Sequence, residues 1–304
     1  MQSMTFSGVI AYPITPFLPG GGLDLESLEL SVAKLARSGV DGVVVLGTSG
    51  SFAYLSAEER AQVVKVAVDA ASGSETPVGV GISAMTTREV MTMAYAAENN
   101  GADGLVLNPL SYIPLVSQEI ADQVETVASS LSLPLCLYNN PETTGFNYPV
   151  ELAAELSWLD NVVAFKDTVA TGRLFHSRQL LYSQRADPTT VHGVSGDQII
   201  VSDYPMAPWH TGMAALLAPE FVAFHRAVIH HRANEAALWS ATLAPLMQLM
   251  GYERPLSALY ALAEVCGVRT GAPRRPLLPI PTRSKRLLAD AVEQLRSAAP
   301  HIAD

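Results

Sequence analysis

The chain has 304 residues with 19 basic and 29 acidic side chains, giving a formal net charge of −10. Charged residues make up only 16%, against roughly 25% in an average soluble domain, while apolar residues reach 49%. This composition supports a large buried core and excludes a disordered chain, and the acidic balance without a basic stripe excludes nucleic acid and anionic membranes as expected partners.

Cys136 and Cys266 form neither a disulfide framework nor a metal-ligand spacing, so a reduced, cytoplasmic setting is expected. The first residues show no basic region followed by an apolar one, so no signal peptide is read. No apolar run reaches the ~18 residues a membrane helix needs. Lysine is scarce: Lys34, Lys65, Lys166 and Lys285 are the only ones.

In chain order, short β-branched runs alternate with longer amphipathic segments. The first strand is expected at Gly8–Tyr12, followed by a helix over Leu25–Ser38 with Asp24 as its N-cap. Val40–Leu46 is the second strand. Ser56, with Glu59 three residues on, forms a capping-box signature for a helix over Glu58–Ala71. Pro77–Gly81 precedes a helix at Thr86–Asn100, and Asp103–Leu107 precedes one at Ser117–Leu131. Pro134–Tyr138, Val162–Lys166, Thr190–Val194 and Gly212–Leu217 complete the strand-like runs. All are nearly continuous in Val, Leu, Ile and Ala, as strands buried on both faces of a parallel sheet would be. Asn234–Gln248, Pro255–Cys266 and Arg283–Ala298 read as further helices.

Eight such units fit either a closed (β/α)₈ barrel or a doubly wound sheet. SGVDGVVVLGT (Ser38–Thr48) and NGADGLVLNPL (Asn100–Leu110) share a Gly-x-Asp-Gly-apolar-Val core, about two modules apart. Equivalent modules recurring around the chain favour the barrel. No GxGxxG fingerprint follows the first strand, which weakens the nucleotide-binding sheet. The expectation is an α/β (β/α)₈ TIM-barrel catalytic domain over residues 1–232 and a C-terminal helical extension over 233–304 packed on it.

A barrel of this kind carries its active site at the C-terminal ends of its strands. There the chain places GTSGS (Gly47–Ser51), Tyr138-Asn139-Asn140-Pro141, Lys166-Asp167-Thr168 and Ser195-Gly196-Asp197. The run VVAFK sets the Lys166 amine behind four apolar residues, where desolvation lowers its pKa and makes it a nucleophile toward carbonyls. The competing reading is a snorkelling lysine paired with Asp167 or another carboxylate. Tyr138 reads either as a core aromatic or as a proton shuttle beside an amine. GTSGS reads as an ordinary turn or as a nest of hydroxyls and N–H groups for a carboxylate. His225, His230 and His231 lack the i, i+4 spacing of a metal helix, and no GxSxG elbow follows a strand, so neither a metal site nor a serine hydrolase is expected. The roles of His176, His192 and His210 stay open.

Taken together, ITPF (Ile14–Phe17), GTSG on strand 2, YNNP on strand 5, FKDT on strand 6 and SGD after strand 7 resemble the dihydrodipicolinate synthase/N-acetylneuraminate lyase family of pyruvate-dependent class I aldolases, over nearly the whole chain. The resemblance implies that Lys166 forms a Schiff base with pyruvate or a 2-oxo acid, with no metal or organic cofactor. It implies that Tyr138 shuttles protons and that Thr48 links it to a relay. Thr48 and Ser49 would bind the substrate carboxylate, and Ala11, Gly47 and Ala214, the last taken as a strand-8 residue, would line the pyruvate pocket. Ser195, Gly196 and Asp197 would contact substrate. A relay tyrosine from a neighbouring subunit would be Tyr112, or Ser111 in its place, within a homotetramer built from dimers.

The departures bear on substrate. Synthases of the family carry an arginine in a Pro-x-Arg-Thr-Gly pattern, where this chain has Thr143, and losing that bidentate cation weakens recognition of a second carboxylate. Lys166 is followed by Asp-Thr, as in sugar-acid aldolases, and Thr168 would bond a hydroxylated substrate. Ser51 replaces the usual glutamate. The expected function is reversible cleavage of a hydroxylated 2-oxo acid, of the 2-keto-3-deoxy sugar acid type, to pyruvate and an aldehyde. The alternatives are a 4-hydroxy-tetrahydrodipicolinate synthase-like enzyme or an aldolase-dehydratase with altered aldehyde recognition, and a catalytically silent binding protein.

Overall fold

The computed structural model describes residues 3–201 and 207–299; residues 300–304 of the expected extension lie outside the described residues. The first half runs β1 (Val9–Ala11), α1 (Leu25–Leu35), β2 (Gly42–Val45), α2 (Ala57–Ala71), β3 (Val78–Gly81), α3 (Thr87–Asn99), β4 (Gly104–Leu107) and α4 (Ser117–Ser130). Then come β5 (Leu135–Asn139), the short α5 (Pro141–Thr144), α6 (Val150–Leu156), β6 (Val162–Asp167), α7 (Gly172–Ser183), β7 (Val191–Ser195), β8 (Trp209–Thr211) and α8 (Ala218–Ile229). The chain continues with α9 (Ala233–Tyr252), α10 (Pro255–Val265) and α11 (Thr282–Ala298). All strand pairs are parallel and β1 closes on β8, which makes a (β/α)₈ TIM barrel with added C-terminal helices.

The repeated Gly-x-Asp-Gly module has a physical explanation. Asp41 sits at the foot of β2 and its carboxylate accepts from the Val9 N–H at 2.7 Å, tying β2 to β1. Asp103, at the foot of β4, accepts from the Val78 N–H at 2.9 Å and ties β4 to β3 in the same way. Each module therefore satisfies a strand-start donor that the ladder leaves free. The glycines that follow have a different role. Gly42, Gly79 and Gly104 line the barrel floor, where an added Cβ would stand 2.7, 2.8 and 3.0 Å from Met4. Met4 and Phe6 are thereby seated as a plug beneath the strands, both buried.

One expected element moves. Gly212–Leu217 was expected as strand 8, but the strand is Trp209–Thr211 and Met213–Ala215 forms a 3₁₀ turn leading to α8. The apolar run is buried beneath the C-terminal helices rather than in the sheet, in one core with Leu259, Leu262 and Leu288. The true strand carries His and Thr, which period and hydrophobicity do not mark as buried.

The extension is bonded to the barrel at several points. Trp239, Leu243 and Leu246 of α9 share a core with Val9, Trp209 and Phe221. Arg274 donates to Glu59 Oε2 at 2.6 Å and to the Tyr54 carbonyl at 2.8 Å. Glu59 is also the capping-box partner of Ser56, whose N–H it accepts at 2.9 Å.

Strand alternation separates Lys166 from Asp167. Lys166 faces the barrel interior, whereas Asp167 turns outward, fully buried, and accepts from Arg178 Nε at 2.6 Å and Asn139 Nδ2 at 2.7 Å, with His192 Nε2 at 3.2 Å. Pairing of Lys166 with Asp167 is thus ruled out by geometry. Burial works against the Asp167 carboxylate, but the His192 and Arg178 contacts outweigh it and hold its pKa below the ordinary value.

Two outcomes follow. Gly79→Ala should lower stability by about 1–3 kcal/mol through overpacking against Met4. Adding Met4→Ala should recover part of it, so that thermal unfolding shows coupling of at least about 0.5 kcal/mol; additive losses would remove Met4 as the constraint. A carboxylate with depressed folded pKa contributes stability above its unfolded pKa and loses it as pH falls through the folded one. Asp167→Asn should therefore flatten the acid limb of the stability curve, and Arg178→Met should cost about 3–5 kcal/mol at neutral pH. An acid limb unchanged in Asp167→Asn would contradict the assignment.

Candidate active site

Tyr12 after β1 and the ends of β5, β6 and β7 gather around one amine. Tyr138 and Lys166 are register partners on β5 and β6, so their side chains enter the barrel side by side. Lys166 is 5% exposed, and its Nζ lies 3.8 Å from the ring centroid of Tyr138 and 3.8 Å from that of Tyr12. Burial pushes the Lys166 pKa down, and this outweighs the opposing pull of Tyr138, Cys136 and Asp197. For Tyr138, burial works against the phenolate, yet the Lys166 charge and surrounding hydroxyl and amide groups bring its pKa below the ordinary value. The amine and the phenol adjoin, which opens direct proton exchange between them.

Two groups hold the Tyr138 hydroxyl: Asn140 Nδ2 donates to it at 2.9 Å and Ser195 Oγ at 3.3 Å. Thr168 stands close enough to assist the same shift, although its buried hydroxyl completes no hydrogen bond of ordinary geometry. Asp197 lies at the same end of the barrel. Burial raises its pKa to about 6 against the opposing effects of Thr211 and Lys166, and among the described residues its Oδ1 is buried without a hydrogen-bond partner. At neutral pH it is an anion that favours the charged form of Lys166.

The loop after β2 is bracketed by two residues in left-handed backbone conformation, Leu46 and Ser51, both at φ 58°. Leu46 brings its carbonyl against β3 so closely that a Cβ on Gly81 would stand 2.0 Å from it. Such backbone is kept only where the surroundings fix it. The fixing groups here come from α10 and from the segment after β1. Ser51 Oγ and Tyr260 Oη lie 3.0 Å apart, Tyr260 Oη donates to the Thr15 carbonyl at 2.7 Å, and Thr15 Oγ1 donates to the Gly50 carbonyl at 2.7 Å. Ser51 thus has a structural bond of its own in place of the usual glutamate. Ser49 is half-buried and its Oγ would be 2.6 Å from a Cβ on Gly212, so only glycine fits opposite it.

Several expected positions are placed differently. Ala11 faces the outer core, with Val9, while Ile10 and Tyr12 face the interior. Its side chain therefore does not line the pocket; Tyr12 does, one residue on and of opposite parity. Ala214 is fully buried in the turn after β8 and its N–H donates to Thr211 Oγ1 at 3.3 Å, so it is not a strand-8 residue. Thr48 is exposed, and its hydroxyl makes no hydrogen bond to Tyr138, whose oxygen is held by Asn140 and Ser195. Thr143 is exposed on α5 and donates to the Asn140 carbonyl at 3.2 Å. Gly47 packs against Tyr12, and Gly196 accepts from Trp209 Nε1 at 2.8 Å. Tyr112 is 87% exposed at the barrel mouth, with Ser111 half-buried beside it.

Tyr12, His210 and Asn140 were not identified as site residues from the sequence. Asn140 was visible inside the YNNP motif, directly after the Tyr138 it supports. Tyr12 shares parity with Ile10 and is an aromatic phenol at the end of an apolar strand, which was the available signal.

Similarity to known proteins extends over nearly the whole chain. The model of the dihydrodipicolinate synthetase family matches residues 5–295. The chain is 30% identical over 295 residues to 4-hydroxy-tetrahydrodipicolinate synthase of Methanothrix thermoacetophila, covering 95% of this chain and 97% of that one. The crystal structure of dihydrodipicolinate synthase from Agrobacterium tumefaciens superposes with a TM-score of 0.90 at 30% identity, over 97% of this chain and 100% of that chain. A prophage protein of the dihydrodipicolinic acid synthase family from E. coli K12, solved in complex with pyruvate, superposes with a TM-score of 0.86 at 25% identity, over 96% and 99% of the two chains. With a barrel matched end to end and the family model spanning nearly every residue, the chain belongs to the dihydrodipicolinate synthetase family of aldolases and lyases.

Proposed function

We propose that this chain is a Schiff-base-forming, pyruvate-dependent aldolase that reversibly cleaves a hydroxylated 2-oxo acid, of the 2-keto-3-deoxy sugar acid type, to pyruvate and an aldehyde. The observation that carries the reading is the buried Lys166 amine, its pKa lowered, 3.8 Å from the Tyr138 ring. A desolvated lysine is a nucleophile toward ketones at neutral pH.

In cleavage, Lys166 Nζ would add to C2 of the 2-oxo acid and water would leave, forming an iminium. The C4 hydroxyl would give its proton to Tyr138 as the C3–C4 bond breaks, its electrons passing into the iminium to form an enamine and release the aldehyde. Tyr138 would return the proton to C3, and hydrolysis would free pyruvate and Lys166. The iminium supplies the electron withdrawal, so the cycle calls for neither a metal nor an organic cofactor. Thr48 and Ser49 would receive the carboxylate, aided by Ser195, Gly196 and Asp197. Thr168, beside the Tyr138 hydroxyl, would offer its own hydroxyl to a substrate hydroxyl. Thr143, in place of a cation, disfavours a second carboxylate. Tyr112 would serve a neighbouring subunit in a homotetramer of cytoplasmic enzyme.

A second reading, a 4-hydroxy-tetrahydrodipicolinate synthase-like enzyme, is favoured by the names of relatives such as the Methanothrix protein. Two measurements decide. Borohydride with pyruvate should leave an adduct that peptide mass spectrometry maps to Lys166 and that disappears in Lys166→Ala; an adduct surviving that substitution would sink the Schiff-base assignment. Separately, a 2-keto-3-deoxy sugar acid should be cleaved to pyruvate at least about tenfold more efficiently than aspartate semialdehyde is condensed with it, a difference of ~1.4 kcal/mol in transition-state binding. The reverse order would establish the synthase reading instead.

A further inference from the structure

Beneath Lys166 lies a buried pair that the reaction just described does not use. Tyr12 follows β1 and its N–H donates to the Thr211 carbonyl at 3.0 Å, which fixes its backbone to β8. Its ring turns into the barrel and packs one edge against the end of β2, where a Cβ on Gly47 would stand 2.6 Å from it. Its hydroxyl is 2.8 Å from His210 Nδ1. His210 is held in turn by stacking on Phe6, with ring centroids 6.3 Å apart, and by Gly193, where a Cβ would stand 2.9 Å from Nε2. Every element around the Tyr12 ring is therefore shaped to keep it in one place.

We infer that Tyr12 is a positioning residue for Lys166: its ring, anchored by His210, forms the floor against which the amine rests and holds it between two aromatic faces. The inference rests on the reading of Lys166 as the Schiff-base lysine. Tyr12 and Tyr138 each present a ring centroid 3.8 Å from Nζ, so a positive charge on that nitrogen lies between two electron-rich faces. Neutral amine gains little from those faces. Cationic iminium gains from both, so the floor ring favours the covalent intermediate over free enzyme and pyruvate. A charged imidazole at His210 would oppose the cation. Burial and the Lys166 charge keep His210 well below its ordinary pKa, and burial keeps the Tyr12 phenol protonated, so the pair adds no charge of its own.

The groups facing this floor are consistent with that assignment. From β5 come Cys136 and Tyr138, from β6 Lys166, and from the loop after β7 Asp197. Of these, Asp197 is an anion at neutral pH, and burial pushes the Cys136 thiol up to about 12. Tyr12 is thus the aromatic surface under the amine, set apart from the groups that exchange protons with it.

The test compares three substitutions in the full-length protein, using pyruvate as the probe and borohydride to trap the adduct at Lys166. Tyr12→Phe keeps the ring and should half-saturate within about twofold of the parent. Tyr12→Leu removes it and should need about tenfold more pyruvate for half-maximal trapping. Tyr12→Met, flexible enough to refill the space, should behave like Tyr12→Leu, and supplies the comparison should the leucine variant fail to fold. Rescue by phenylalanine distinguishes an aromatic requirement from general packing. Trapping by Tyr12→Leu or Tyr12→Met at the parent's pyruvate concentration would overturn the inference and leave the Schiff-base reading intact. Equal loss in the phenylalanine and methionine variants would also overturn it, assigning Tyr12 a packing role. Absence of any adduct in the parent would overturn the Schiff-base reading itself, and this inference with it.

Discussion

Alternation along a strand is the constraint on which the rest of this molecule depends. In a closed barrel, successive side chains enter either the interior or the layer beneath the helices, and nothing lies between. Lys166 and Asp167 are chemical opposites joined by one peptide bond, yet they never meet. One is set among aromatic rings, the other into a buried network with Arg178, Asn139 and His192. Without that separation the amine would be neutralised by its neighbour and held as an ordinary ammonium. The outward network also stiffens the strand end that presents the amine, since β6 is anchored through Asp167 to α7 and β7.

The same rule explains how much could be read from the sequence. Lys166 and Tyr138 stand out as candidates because each closes an apolar run, and the barrel followed from the alternation of runs and the repeated Gly-x-Asp-Gly module. Ala11 was misplaced because a motif indicates which strand end lines a pocket but not which parity faces it. Strand 8 was misplaced because His210 and Thr211 interrupt the apolar run expected of a buried strand, and the bond of His210 Nδ1 to Tyr12, 198 residues away, leaves no periodic trace. Ala214 drew the assignment instead, since an apolar run looks the same whether a sheet or a helix layer buries it. Thr48 and Tyr112 are exposed, and no local pattern states what an exposed side chain meets.

The strand-2 loop shows how distant parts of the chain cooperate at the site. Its left-handed residues are costly on their own, and their bonds come from opposite ends of the sequence: Thr15 after β1 and Tyr260 on α10. Phe17 stacks on Tyr260 with nearly parallel rings, and Arg274 lies over Phe17 while donating to Glu59. The C-terminal helices therefore do more than cover apolar surface. They complete the turn that the proposed chemistry assigns to the carboxylate.

The Met4 plug has a consequence for how the chain is made. Its seat is built from glycines on β2, β3 and β4, so Met4 cannot settle until β4, ending at Leu107, exists. Contacts of such separation form late, because chain entropy must be overcome before they stabilise anything. The segment before β1 thus acts as a latch: preceding the strands that seat it and engaging only after the half-barrel above it has assembled, it makes closure of the floor conditional on correct registration of three later strands.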